Sequence, residues 1–145
     1  MLGAKRAAFL DAAARVALAP GAPELLPAAR RRFRDMAIAT SAARSDLDLL
    51  ARRHDLLRWF DAIVTGDDTV RHKPDPEPYL RAVNALRVHP RDALVIENAP
   101  FGVQSATEAG LCCVALTTSL PAQDLKGAHR IVADLHELRR LLLPA

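Results

Sequence analysis

Cysteine is nearly missing from this chain: two of 145 residues, Cys112 and Cys113, side by side in the apolar run "LCCVAL". Adjacent cysteines are poorly placed for a structural disulfide and lack metal-ligand spacing, which excludes a disulfide scaffold and a cysteine metal centre. They read as reduced core thiols of a cytoplasmic protein. Long apolar runs are missing too, and nothing approaches the length needed to cross a bilayer. The opening "MLGAKRAAFLDAAARVALAP" is amphipathic and is broken by Lys5, Arg6, Asp11 and Arg15, so it lacks the continuous apolar centre of a signal peptide. No membrane partner is expected. The formal charge is only +3, with Lys and Arg spread among Asp and Glu instead of forming a basic block, so no nucleic-acid partner is implied. There is no internal repeat and no low-complexity tract.

What is present is enough apolar sequence, 50% of the residues, for one globular core. Short β-type runs alternate with longer helix-type segments, which is the rhythm of an α/β fold with a parallel sheet. The strand candidates are "MAIAT" (36–40), "AIVTG" (62–66), "ALVIE" (93–97), "CVALT" (113–117) and, more weakly, "RIVAD" (130–134). Helices are predicted over 45–60, 76–88, 100–110 and 135–143, with Pro76 suited to a start and Gly110 to a stop. Two further helices, "GAKRAAFLDAAARVAL" and "APELLPAARRRF", precede the first strand and are separated by the "APGAP" break at 19–23. No strand candidate comes before them.

In open parallel sheets ligands sit beyond the carboxyl ends of the strands. The residues at those ends are Thr40 and Ser41; Gly66, Asp67 and Asp68; Glu97 and Asn98; and Thr117 and Thr118. Lys73 follows the second strand in "HKPDPEPYL", on a loop stiffened by Pro74 and Pro76. A polar pair such as Glu97 and Asn98 directly after a buried strand is costly without partners, so it is expected to face a ligand, an ion or another strand end. Hydroxyls and backbone N–H groups can hold phosphoryl oxygens, an ammonium can offset their charge, and carboxylates can hold a divalent cation. Several of these residues have plainer readings. Thr117 suits a strand cap, His72 a loop histidine, Trp59 and Phe60 the core, and Arg30 to Arg34 the solvated end of a helix.

Taken in order and spacing, "IATSA", "GDDTVRHKPDPEPYL" and "ALVIENAPFGVQSATEAG" resemble the second, third and fourth motifs of the haloacid dehalogenase-like (HAD) hydrolase superfamily, most closely its β-phosphoglucomutase-like phosphatase branch. The resemblance implies a Rossmannoid three-layer α/β sandwich and Mg²⁺-dependent phosphatase or phosphomutase-like chemistry on a small phosphorylated metabolite. It implies that Thr40, with the Ser41 N–H, binds the phosphoryl group and that Lys73 stabilises phosphate and nucleophile. Glu97 and Asn98 would then form the Mg²⁺ pair. Asn98 stands where an aspartate is usual, which removes a charge and weakens metal binding.

The family's first motif, an Asp-x-Asp after an apolar N-terminal strand, has no counterpart here. "DLD" at 46–48 falls inside a predicted helix, where acids in the first turn suit the helix dipole. Lys5, Phe9 and "APGAPELLPAAR" resemble the last helix of the family's cap domain and its return to the core. The implied division is a cap remnant over 1–18 and a core over 19–145, with the first strand and most of the cap outside this sequence and the chain inactive as it stands. In the family that strand lies between those matching 36–40 and 93–97. The implied gap calls for self-association or a complementing N-terminal segment. The alternative function is a non-catalytic remnant that binds phosphate or a partner chain. A receiver-type signalling domain is a poorer match, because its paired acids would follow the first strand.

Overall fold

The computed structural model describes residues 2–144, without the side chains of residues 2–6, 9 and 14. The elements run α1 (Leu2–Arg15), α2 (Ala22–Arg32), β1 (Ala37–Ala39), α3 (Arg44–Arg52), β2 (Ala62–Val64), α4 (Glu77–Leu86), β3 (Leu94–Glu97), α5 (Pro100–Glu108), β4 (Cys112–Leu116), β5 (Arg130–Val132) and α6 (Leu135–Leu142). All five predicted strands are found, four of them shortened and the fourth, β4, shifted by one residue at unchanged length. All their pairings are parallel. Among the described residues no helix is long and apolar enough to cross a membrane.

Layering follows from the alternation of side chains along β4. Cys113 and Ala115 point into a cluster with Tyr79 and Val83 of α4, Val103 and Ala106 of α5, and Leu125. Val114 and Leu116 point the other way, to Val132, Leu138 of α6 and Leu25 of α2. One row of alternating residues thus serves two helical layers, and the chain is a Rossmannoid α/β sandwich. Leu125 and Leu138 are fully buried on opposite faces, each contributing about 1.5–3 kcal/mol relative to exposure.

The strands form two hydrogen-bonded sets, β1–β2 and β3–β4–β5, and no strand pairing joins β1 to β3. The Thr40 N–H bonds to Val64 O, and the Asp61 N–H to Met36 O. Backbone groups alternate sides along a strand, so those of Ala37 and Ala39 point away from β2. The same reasoning applies to β3. The Thr117 N–H bonds to Val132 O and Cys113 O accepts from the His129 N–H, which turns alternate β4 groups towards β5 and leaves those of Leu94 and Ile96 pointing away from β4. These two strand edges are therefore unpaired, and Ile96 is 37% exposed in the middle of a strand.

Three readings need correction. The helix predicted over 45–60 ends at Arg52, because Asp55 takes a left-handed conformation (φ 47°) and a short 3₁₀ turn, Leu56–Trp59, follows. Leucine periodicity carries across that break, and aspartate tolerates the conformation. Cys112 is exposed, whereas Cys113 is buried, since neighbouring strand residues face opposite ways. Arg30 is no freely solvated helix end: its guanidinium pairs with both carboxylate oxygens of Asp61, which also accepts the Met36 N–H. Lys5 and Phe9 lie outside the residues whose side chains are described.

Candidate functional site

Lys73 leaves the loop before α4 and its peptide bond to Pro74 is cis. Its ammonium donates to Ala39 O, the last residue of β1, at 3.2 Å, and to Glu97 Oε1, the last residue of β3, at 2.5 Å. The carboxyl ends of two strands that do not pair with each other therefore meet at one side chain, itself only 12% exposed. The third acceptor is the Tyr79 hydroxyl, at 3.0 Å. Tyr79 comes from the first turns of α4, and its ring lies 4.6 Å from the ammonium.

Glu97 is held from all sides. Oε1 accepts from Lys73 and from the Tyr79 hydroxyl (2.7 Å), while Oε2 accepts the backbone N–H groups of Asn98 (2.9 Å) and Ala99 (3.1 Å). Burial works against the charged carboxylate, but the hydrogen bond and charge of Lys73, helped by Tyr79 and the Asn98 amide, outweigh it and hold Glu97 below the usual range. Burial, and then the charge of Glu97, push the Tyr79 hydroxyl far above the usual phenol range, so it remains a donor. The same two causes raise the neighbouring Cys113 thiol to about 12, which makes it an inert core group. Gly102 lies in the first turn of α5, and a Cβ there would overlap the Glu97 carboxyl group. Glycine lets the helix start close over the acid.

Thr40 follows Ala39 directly, and its oxygen accepts the Ala42 N–H at 3.1 Å, which leaves the hydroxyl hydrogen for another acceptor. Ser41 is exposed beside it. Asn98 is exposed as well, and its amide nitrogen donates to Ser119 Oγ at 3.1 Å. The structure thus brings Thr40, Ser41, Lys73, Glu97 and Asn98 to one end of the sheet. It does not bring Asp67 and Asp68 to Lys73. Asp68 caps the turn after β2 by accepting the Thr65 N–H and hydroxyl, both at 2.7 Å, and Asp67 accepts the Arg44 N–H. Thr117 serves as a strand end, its N–H bonded to Val132 O. Tyr79, Gly102 and Ser119 complete the site without having been singled out in the sequence.

The donor set bears on a divalent cation. Both Glu97 oxygens are fully engaged, and Asn98 offers one neutral amide oxygen. Among the described residues no group of three or more His, Cys, Asp or Glu could hold a metal. As arranged here, these residues do not by themselves amount to a Mg²⁺ site, because the ion would have to displace Lys73 and Tyr79 from Oε1.

Comparison with known proteins places this arrangement. The family model for haloacid dehalogenase-like hydrolases matches residues 5–116. The validoxylamine A 7'-phosphate phosphatase of Streptomyces hygroscopicus subsp. limoneus is 39% identical over 119 residues, covering 82% of this chain and 56% of that protein. Among solved structures, CbbY from Rhodobacter sphaeroides in complex with xylulose-(1,5)bisphosphate is 30% identical with a TM-score of 0.80, covering 89% of this chain and 60% of that one. A candidate β-phosphoglucomutase from Thermotoga maritima is 33% identical with a TM-score of 0.75, covering 85% and 60%. The chain therefore spans little more than half the length of these relatives. With three motifs meeting at Lys73, the chain belongs to the haloacid dehalogenase-like hydrolase superfamily, in its β-phosphoglucomutase-like branch.

Proposed function

We propose that this chain is the phosphoryl-binding core of a phosphatase or phosphomutase-like enzyme acting on a small phosphorylated metabolite, and that it does not turn substrate over alone. One observation carries the reading: the Lys73 ammonium sits where β1 and β3 end, 3.2 Å from the carbonyl preceding Thr40. A phosphoryl group entering there meets the ammonium, the Thr40 hydroxyl and the Ser41 N–H, which orient its oxygens and offset their charge. Among the described residues the only carboxylate bonded to Lys73 is Glu97, which is held by four donors and is not available to attack phosphorus. Both the nucleophile and the acid–base group must come from elsewhere. Any Mg²⁺ affinity of the isolated chain is expected to be weak for the same reason.

Residues 1–18 read as the end of a cap helix returning to a core over 19–145. The partner that fits is a complementing segment, extended and apolar with an acidic end, placed between β1 and β3. Self-association along the same edges is the competing arrangement. The second functional reading, a remnant that binds phosphate or a partner chain without catalysis, is favoured by the lack, among the described residues, of a free acid bonded to Lys73.

Calorimetry with inorganic phosphate tests the site. Saturable binding is expected in the natural chain and none in the Lys73→Met, Glu97→Gln double variant, which removes both partners so that no buried charge is stranded. Magnesium alone should bind weakly, and Asn98→Asp should strengthen it. An unchanged phosphate affinity in the double variant would place the anion elsewhere. Turnover of an aryl phosphate by the chain alone, lost in that variant, would refute the absence of catalysis.

A further inference from the structure

Three N–H bonds of Lys73 have three acceptors, and the three bonds are not alike. That to Glu97 Oε1 is short and charge-assisted (2.5 Å), that to the Tyr79 hydroxyl is 3.0 Å, and that to Ala39 O is the longest at 3.2 Å. Tyr79 spends its own hydrogen on the same Glu97 oxygen, so ammonium, hydroxyl and carboxylate close a ring of hydrogen bonds. The tyrosine is 7% exposed and packed with Val83, Val103 and Leu125, which fixes the ring of bonds to the core. The remaining bond, to Ala39 O, is the one beside Thr40.

We propose that Tyr79 is a positioning residue for Lys73: with Glu97 it holds two of the three ammonium hydrogens, so that a phosphoryl oxygen is bound in exchange for the Ala39 carbonyl alone. The inference rests on the phosphoryl-binding reading of the same site and names a further residue for it. Lys73 need not swing out to meet its ligand. It trades its longest bond while two stronger ones keep it aimed at the strand ends.

Tyr79 is the one tyrosine in the chain, so incorporation of 3-fluorotyrosine labels it alone. The expected result is a ¹⁹F signal that moves when Lys73 is replaced by Met and that shifts with inorganic phosphate along the same curve as the Lys73 ¹⁵Nζ signal. In Tyr79→Phe, which keeps the ring, the Lys73 signal should move and phosphate affinity should fall about three- to tenfold. A purely structural tyrosine would leave the Lys73 signal and the phosphate affinity unchanged, and that result overturns the proposal. A ¹⁹F signal indifferent to Lys73→Met overturns it as well, even if Tyr79→Phe fails to fold. If phosphate moves neither signal while Lys73→Met moves the ¹⁹F signal, the phosphoryl-binding reading fails and the positioning of Lys73 stands.

Discussion

At Glu97 the balance of burial against pairing is the main energetic fact of the site. A carboxylate with 8% side-chain exposure survives as an ion because one ammonium, one hydroxyl and two backbone amides all point at it. Removing only the ammonium should therefore be the costliest single change here. Lys73→Met is expected to lower stability by about 3–5 kcal/mol, and adding Glu97→Gln should restore much of it, as read by urea denaturation. A double variant no more stable than Lys73→Met would mean that Glu97 is not carrying an unpaired charge. Gly102→Ala makes a second test, because its methyl group must push the carboxyl group aside, at a cost of about 1–3 kcal/mol. Wild-type stability in that variant would show that α5 has room to retreat. Thr40 and Glu97 were legible in the sequence because each lies at the end of a short apolar run, where a polar side chain calls for a partner, and Lys73 because it stands in the motif-like stretch "GDDTVRHKPDPEPYL". Tyr79 and Gly102 were not, since each acts on Glu97 through space and neither carries a local pattern that distinguishes it from a core aromatic or a helix-start glycine.

Among the elements, α4 and the loop before it form the unit that aims Lys73. Glu77, at the start of α4, accepts the N–H groups of Val70 and Arg71 and pairs with Arg81 one turn on. The two backbone bonds first, and then Arg81, lower its pKa from 4.5 to about 2. Its contribution to stability is thus fully present above about pH 4.5 and is lost as the pH falls towards about 2. Glu77→Gln should lower the melting temperature at pH 7, and the difference from wild type should shrink on acidification through that window. A difference that is constant from pH 7 to pH 2 would show that the charge of Glu77 is not what secures the loop. The strands were readable because parallel, two-face-buried strands are short apolar runs bounded by polar residues. The extent of the third helix was not: Leu49, Leu50, Leu56 and Leu57 keep a helical spacing across Asp55, and only the backbone shows the break.

On the scale of the whole molecule, the two strand sets are tied at their carboxyl ends by Lys73 and bridged by helices that pack across them. Contacts of α4 with β1 and β2, of α5 with β3 and β4, and of α4 with α5 hold the halves together without a continuous hydrogen-bonded sheet. Ala37, Ala39, Leu94 and Ile96 turn backbone groups away from their paired strands, and such edges favour addition of a strand. The sequence indicated which strands would exist but held no local signal for whether β1 and β3 would close up, because that depends on helices packed far along the chain. The measurement that bears most directly on the whole account is complementation. A separate segment with an apolar extended run ending in Asp-x-Asp, supplied together with the rest of a cap, is co-expressed with this chain, and melting temperature and Mg²⁺-dependent hydrolysis of an aryl phosphate are followed. The expected result is a complex that melts higher than the chain alone and has activity abolished by the Lys73→Met, Glu97→Gln variant. A chain that is already a stable, monodisperse monomer, and gains neither stability nor activity from the segment, would contradict it.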